Sequence, residues 1–288
     1  MNADSRALLL LVVGNLAAAL SDVAVKCLDG GVPPFQYLFI RQLVATLLVL
    51  PLWLTLPAVK RSPGPIRLAL VRAHLILVGA AGMVVALSHL PLATANAVFY
   101  AAPLLMLPLS VWLLGERPGR ARVLATLAGF AGVMLVLRPS QFHWAALFAL
   151  GTALTLALFN LLVRRLPPGQ SPLATVFWTN LLCLPVAALL AAVNWVALDA
   201  VQLQWIVASA LGMLTYNALA VVAYRLAQAS AIALAEYSGL LFVALFGVMW
   251  FAEVPDSLSL LGIALIVLPI GLISIDGRRW RRQGGRAV

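Results

Sequence analysis

Residues 32–51 read VPPFQYLFIRQLVATLLVLP, and residues 166–185 read LPPGQSPLATVFWTNLLCLP. Both stretches carry Pro-Pro-x-Gln and Leu-Leu-x-Leu-Pro at the same spacing. A second block matches after a three-residue insertion: Tyr100, Leu104, Val111, Glu116 and Pro118 correspond to Tyr237, Leu241, Val248, Glu253 and Pro255. Leucines often match by chance in an apolar chain, whereas chance matches of the prolines, the glutamine, the tyrosine and the Glu-x-Pro pair are rare. The chain therefore contains the same unit twice.

The composition excludes a water-soluble globular protein. The 288 residues are 64% hydrophobic and 10% charged, whereas a soluble domain has about 45–50% apolar and about 25% charged residues. The net charge of +10 comes from short basic clusters between apolar runs, without the interleaved aromatics of a nucleic-acid-binding surface. Two isolated cysteines and three scattered histidines predict neither a metal site nor a cofactor.

Apolar runs long enough to cross a bilayer occur ten times along the chain. Gly- and Pro-rich turns separate most of them. The predicted spans are residues 6–28, 35–57, 68–89, 92–114, 119–138, 142–164, 173–193, 201–226, 230–252 and 257–275.

The distribution of Lys and Arg between the spans predicts that both termini face the cytoplasm. In that orientation only Arg138 lies outside, Lys26 and Arg41 fall within spans, and the other basic residues lie inside. The basic tail at 278–288 would anchor at the anionic inner surface. We therefore expect a multi-pass protein of the bacterial-type inner membrane.

Five spans per copy is an odd number, so the second copy enters the membrane from the opposite side. The predicted fold is an all-α membrane protein of ten transmembrane helices arranged as two inverted five-helix repeats, at 1–138 and 139–277. Inverted repeats are an architecture of transporters, with the substrate site near the midplane between the halves. Alternating access is the mechanism that this architecture indicates.

Several short segments resemble the drug/metabolite transporter superfamily in its EamA-type branch. They are ATANA at 93–97, Ala102-Pro103, LGERP at 114–118, ASA at 229–231, Tyr237 and Glu253-x-Pro255. The second copy departs from the family pattern, because residues 239–241 lack a frequent proline and Ala252 replaces the glycine before Glu253.

The resemblance implies a central cavity lined by spans one, three, four, six, eight and nine, with spans five and ten at the periphery. It also implies a small-molecule substrate. Bacterial exporters of aromatic and other neutral amino acids are the preferred interpretation, with a flavin, a nucleotide-like compound or a drug as the alternative. We expect a monomer or weak dimer in the lipid bilayer, and no nucleic-acid partner.

Charged residues inside the spans need a structural or functional reason, because each costs about 2.5–3.5 kcal/mol at a helix centre. Asp22 and Lys26 share a helix face and can pair, and Arg41 lies at similar depth. This cluster either binds a passing carboxylate or braces the outer side. His74 and Glu236 lie at similar depth near the cytoplasmic side, where they either relay a proton or make an ordinary polar contact.

Neutral polar residues near mid-depth are candidates for lining the cavity, although each also suits an interhelical hydrogen bond. They are Asn15, Tyr100, Thr152, Thr155, Tyr216, Asn217 and Tyr237. Glycines and prolines in the same spans either act as hinges or pack closely. The candidate hinges are Gly79, Gly82, Pro103, Gly212 and Gly239.

Glu116 and Glu253 lie at span ends, where we expect structural roles at the start of the following helix. The competing function classes find little support in the sequence. An intramembrane enzyme needs a nucleophile motif, paired aspartates or a metal motif, and none is present. A channel usually builds its pore from several subunits, whereas two inverted copies already form a pathway within one chain.

Overall fold

The computed structural model describes residues 3–115, 120–137, 143–162, 165–167, 169–226, 238–266 and 268. These residues form α-helices joined by turns and by a short 3₁₀ helix at Ala58–Lys60, with no strand among them. The helices are α1 (Ala3–Lys26), α2 (Pro34–Leu54), α3 (Ile66–His89), α4 (Leu92–Phe99), α5 (Ala102–Leu114), α6 (Arg120–Leu137), α7 (Ala145–Leu162), α8 (Pro172–Val193), α9 (Ala200–Leu226), α10 (Ser238–Phe251) and α11 (Ser257–Ile266).

The eleven described helices correspond in position to the ten predicted spans, because α4 and α5 both lie in span four. Seven described segments are long and apolar enough to cross a membrane. Three shorter apolar helices, Thr126–Val136, Ser238–Phe251 and Ser257–Ile266, fall within predicted spans five, nine and ten. The prediction of an all-α membrane protein built from two repeats is confirmed.

Span four is interrupted, which the hydropathy pattern did not predict. It consists of α4 and α5, separated at Tyr100 and Ala101. Pro103 has no amide hydrogen to give to the preceding turn. The turn before Pro103 is tighter than an α-helical turn, because the Ala101 N–H donates to the Val98 carbonyl three residues earlier, at 2.9 Å, as in a 3₁₀ helix. The interruption places Tyr100 at a bend in the middle of the span.

Helices of the two copies pack mainly against each other rather than within their own half. The most extensive contacts pair α1 with α9, α2 with α8, and α3 with α7. Two repeat-related glutamines tie the α2–α8 pair. Gln36, near the start of α2, donates to the carbonyl of Val196 (2.8 Å) and accepts from its N–H (3.0 Å), just beyond the end of α8. Gln170, just before α8, donates to the Pro63 carbonyl beyond the end of α2 (3.0 Å). Helices α2 and α8 are therefore antiparallel.

The ends of α5 and α10 share a left-handed backbone residue. Gly115 follows α5 with φ +67°, and its repeat equivalent Ala252 follows α10 with φ +53°. Glycine adopts this region freely, whereas the Cβ of alanine makes it costly by about 1–2 kcal/mol. The second copy therefore keeps the turn although its glycine is replaced.

Restoring the glycine should stabilise the protein. We expect Ala252→Gly to raise the free energy of unfolding by about 0.5–1 kcal/mol, because the relief of strain exceeds the extra entropy of the unfolded chain. Thermal unfolding in detergent, followed by Trp fluorescence, measures the change as a higher Tm. Gly115→Ala is the mirrored control and should lower Tm, since an added Cβ there meets nothing within 4 Å and the cost is purely conformational. A lower Tm for Ala252→Gly would contradict this account.

Candidate functional site

An ion pair joins the two copies at one side of the bundle. Lys26 ends α1, and its Nζ lies 2.7 Å from Oε1 of Glu253, which follows α10. The same Nζ donates to the Leu90 carbonyl at 2.8 Å, in the turn between α3 and α4. It also lies 5.3 Å from the ring centroid of Phe251. The two side chains are 13% and 22% exposed, so the pair is largely shielded from solvent.

Glu253 has a second contact that fixes a helix start. Its Oε2 accepts a hydrogen bond from the Leu92 N–H at 2.7 Å, at the first residue of α4. A carboxylate at a helix N-terminus satisfies a free amide and is favoured by the helix dipole. The expected structural role is therefore present, but at α4 of the other copy rather than at the following helix. The ends of α1, α3 and α10 and the start of α4 meet in this Lys26–Glu253 cluster.

Asp22 lies one turn before Lys26 but is not its ion-pair partner. In the described state Lys26 pairs with Glu253 instead, so the Asp22–Lys26 pairing stays a prediction. Asp22 is 7% exposed, with the Asn96 side chain of α4 in hydrogen-bonding reach and Arg41 of α2 as a charged neighbour.

Arg41 takes part in a buried network between α1, α2 and α9. Its Nη1 donates to the Tyr37 hydroxyl at 3.5 Å, and its guanidinium lies 5.5 Å from the Tyr37 ring centroid. The Tyr37 hydroxyl is 2.6 Å from the Ser209 hydroxyl, which is 2.7 Å from that of Ser21. Hydroxyl groups serve as donor and acceptor, so this chain of fully buried groups is satisfied internally.

Two of the predicted cavity residues, one in α1 and one between α4 and α5, contact the start of α10. The Asn15 amide donates to the Ser238 hydroxyl at 3.2 Å. Tyr100, at the bend of span four, packs so closely on Gly239 that any Cβ there would collide with its hydroxyl. Polar side chains of both copies therefore converge where α1, the bend and α10 meet.

The other pair of predicted cavity residues lies in a helix crossing. The Thr152 hydroxyl lies 2.8 Å from the Gly79 carbonyl and 2.9 Å from the Phe148 carbonyl, and these two acceptors share its one hydrogen. Thr155 packs directly over Gly79 and donates to the Thr152 carbonyl at 2.9 Å. A Cβ on Gly82 would lie 2.8 Å from the Thr152 hydroxyl. In this state the Thr152 hydroxyl bonds α7 to α3, and Thr155 packs against α3.

The remaining predicted residues are dispersed. His74 is half-buried, with Nδ1 2.8 Å from the Leu70 carbonyl one turn earlier. Tyr216 packs beside Gly14, and Asn217 is half-buried on α9. Pro103 lies in the first turn of α5. Glu236 and Tyr237 lie outside the described residues, so the pairing expected of Glu236 stays a prediction.

Several polar residues were not among the sequence-based candidates. Arg72 is 3% exposed, and its guanidinium lies 4.3 Å from the ring centroid of Phe159. Asn96 lies beside Asp22 and donates to the Leu92 carbonyl at 3.2 Å. Asn96 stands in the ATANA segment, which drew attention only as part of the family resemblance.

Comparison with known families now decides the class of the protein. The model of the EamA-like transporter family matches residues 5–138 and again residues 143–275. The chain belongs to this family. The two matches cover nearly the whole chain and correspond to its two copies.

Curated relatives carry three different transport activities in their names. A riboflavin transporter of Vibrio cholerae is 30% identical over 73% of this chain and 72% of its own length. An S-adenosylmethionine uptake transporter of Rickettsia prowazekii is 26% identical over 60% of each chain. The pseudopaline exporter CntI of Pseudomonas aeruginosa is 27% identical over 90% of this chain and 93% of its own length.

The fold also matches a solved crystal structure, at 20% identity with a TM-score of 0.66, over 94% of this chain and 98% of that one. This similarity supports the fold alone. Together with the family match, the described helices identify a multi-pass membrane protein that transports small metabolites and is not an enzyme.

Proposed function

We propose that this protein carries a flavin-like or nucleoside-like metabolite across the bacterial inner membrane by alternating access. The observation that carries the substrate class is the similarity to the riboflavin transporter over nearly three quarters of the chain. The S-adenosylmethionine transporter, whose substrate contains a nucleoside, points in the same direction. The preferred interpretation of the sequence was export of aromatic and other neutral amino acids. We propose its alternative instead, a flavin or a nucleotide-like compound.

The antiparallel arrangement of equivalent helices supports inverted repeats. Helices α2 and α8 are the second spans of their copies, and each start meets the end of the other through Gln36 or Gln170. The start of span four meets the end of span nine through Leu92 and Glu253. Two halves inserted in opposite directions form the architecture in which one central site is exposed alternately to the two sides.

The Lys26–Glu253 cluster would close one mouth of the pathway. With both termini in the cytoplasm, as the Lys and Arg distribution predicts, the ends of α1, α3 and α10 lie at the outer face. Contacts between these ends and the start of α4 hold the outer face shut in the described state.

Substrate would bind deeper, where the polar side chains of both copies converge. Asn15 offers an amide, Tyr100 offers a phenol ring and hydroxyl, and the bend of span four provides irregular backbone. An amide and an aromatic face are the groups that recognise a flat heterocycle through hydrogen bonds and stacking. Tyr216, Asn217 and Tyr237 stay candidates for the same cavity.

Uptake into proteoliposomes tests the substrate class. Purified protein is reconstituted and exposed to labelled riboflavin, S-adenosylmethionine or tryptophan, with and without a proton gradient. We expect saturable riboflavin uptake that unlabelled riboflavin suppresses and tryptophan does not. Asn15→Ala should weaken this uptake, whereas Trp112→Phe, at a 78% exposed position, should leave it unchanged.

Either of two results would overturn the proposal. Saturable tryptophan uptake without riboflavin uptake would restore the amino-acid interpretation. Uptake that rises linearly with concentration, without saturation or counterflow, would indicate a pore rather than a carrier.

A further inference from the structure

Asp22 is a buried carboxylate without a cation in contact. It is 7% exposed, and Lys26–Glu253 is the one ion pair among the described residues. Lys26 is held by Glu253 and the Leu90 carbonyl, and the Arg41 guanidinium is directed to Tyr37. The side chain of Asn96 is the neutral neighbour of Asp22.

The Asp22 carboxyl group can take up a proton in this setting. Removing an ionised carboxylate from water is costly unless a cation contacts it, and proton uptake avoids the cost. An amide can donate to a carboxylate or accept from a carboxylic acid, so Asn96 accommodates both forms. The described arrangement therefore suits an Asp22 that carries a proton.

We propose that Asp22 is a proton-binding site, and that Lys26 is a cation shared between Glu253 and Asp22, so that proton binding is linked to closure of the outer face. Lys26 follows Asp22 by four residues on α1, which brings their side chains within reach on one helix face. When the outer face is closed, Lys26 pairs with Glu253 and Asp22 holds a proton. When it opens, Lys26 leaves Glu253 and pairs with Asp22, which releases its proton to the outer water.

The sign of the linkage follows from these two states. The closed state binds one more proton than the open state, so acid favours closure and alkali favours opening. The charged and titratable groups that face this region belong to four helices or their ends. They are Lys26 of α1, Arg41 and Tyr37 of α2, Cys183 of α8 and Glu253 after α10, and the neutral amide of Asn96 on α4 lies beside them. The inference needs a membrane carrier that opens and closes, but it is independent of the substrate.

Cys27 provides a reporter that is already in the chain. It follows Lys26 directly and is half-buried, whereas Cys183 is fully buried. Opening of the Lys26–Glu253 cluster should expose Cys27 to a water-soluble maleimide. Because burial raises the pKa of the Cys27 thiol, its labelling also rises with pH for chemical reasons. At each pH, the labelling rate of the natural protein is divided by that of Asp22→Asn, and this ratio cancels the chemical contribution.

The experiment uses protein in lipid nanodiscs, where both faces are accessible, with Cys27→Ser as the background control. Asp22→Asn mimics the protonated form and should stay closed. We expect the rate ratio to rise at least about fivefold from mildly acidic to mildly alkaline buffer, the lower end of typical coupling between two sites. Lys26→Met removes the shared cation, so its rate relative to the double variant Asp22→Asn/Lys26→Met should not change with pH.

The outcomes separate the two parts of the proposal. A flat ratio in the natural protein excludes Asp22 as the proton site. A rise that persists in Lys26→Met excludes Lys26 as the link. Asp22→Glu, which keeps a titrating carboxyl, should retain the rise and guards against a folding defect in Asp22→Asn. None of these measurements involves a transported substrate, so they stand or fall separately from the flavin assignment.

Discussion

Gly212→Ala is expected to destabilise the protein by about 1–3 kcal/mol, although alanine is the better helix former. Gly212 lies where α9 crosses α1, the most extensive contact between the two copies. A Cβ at this position would lie 2.7 Å from the Ala17 carbonyl oxygen and 3.1 Å from the Cβ of Ser21. The obstacle is backbone, so the helices must move apart and lose contacts along their length. Thermal unfolding in detergent should show a lower Tm, and Gly212→Leu should fail to accumulate as folded protein.

Gly151 supplies the matched control for this substitution. It lies in α7 with an exposed position, and an added Cβ would meet nothing within 4 Å. Gly151→Ala makes the same chemical change in a helix interior and should be neutral or stabilising by up to about 1 kcal/mol. Opposite signs for the two alanine variants are the expected result. Equal effects would show that helix propensity, and not the α1–α9 crossing, decides the outcome.

The helices themselves could be predicted because apolar length and turn residues determine them locally. The predicted span at 173–193 corresponds to Pro172–Val193, and that at 201–226 corresponds to Ala200–Leu226. The bend at Tyr100 could not be predicted from hydropathy, since the apolar run continues through Pro103 without a change. The available signal was Pro103, the second residue of α5, but a proline inside a span need not interrupt the helix. Pro51 and Pro185 lie within continuous α2 and α8.

The candidate site was predicted less completely because its contacts join distant parts of the chain. The spacing of Asp22 and Lys26 indicates a local pair, whereas the partner in the structure is Glu253 of the other copy. Hydropathy identifies Thr152 as a polar residue within a span, but it does not determine whether the hydroxyl faces a cavity or the Gly79 carbonyl. The repeat identified Gln36 and Gln170 as equivalent, and only the fold shows that each binds the other copy.

A double-mutant cycle on Lys26 and Glu253 should give the second large effect. Removing one partner of a shielded ion pair leaves the other charge uncompensated, which costs about 3–5 kcal/mol when burial is complete. With side chains 13% and 22% exposed, we expect about 2–3 kcal/mol for Lys26→Met or Glu253→Gln alone. The double variant should lose about 1–3 kcal/mol less than the sum of the single losses, because no unpaired charge is left. Unfolding in detergent at several denaturant concentrations measures all four free energies.

The choice of glutamine isolates the ion pair from the helix cap. An amide oxygen can still accept from the Leu92 N–H, so Glu253→Gln keeps the start of α4 while it removes the charge on Lys26's partner. A second measurement, the labelling of Cys27, then distinguishes an ion pair that only stabilises the bundle from one that reversibly closes the outer face. If the pair only braces the bundle, Cys27 becomes reactive solely to the extent that the protein unfolds. If it locks the outer face, Glu253→Gln should raise Cys27 labelling at temperatures far below Tm, where the bundle is still folded. A coupling free energy near zero would remove both roles, since a lock that stores no interaction energy cannot bias the equilibrium between open and closed states.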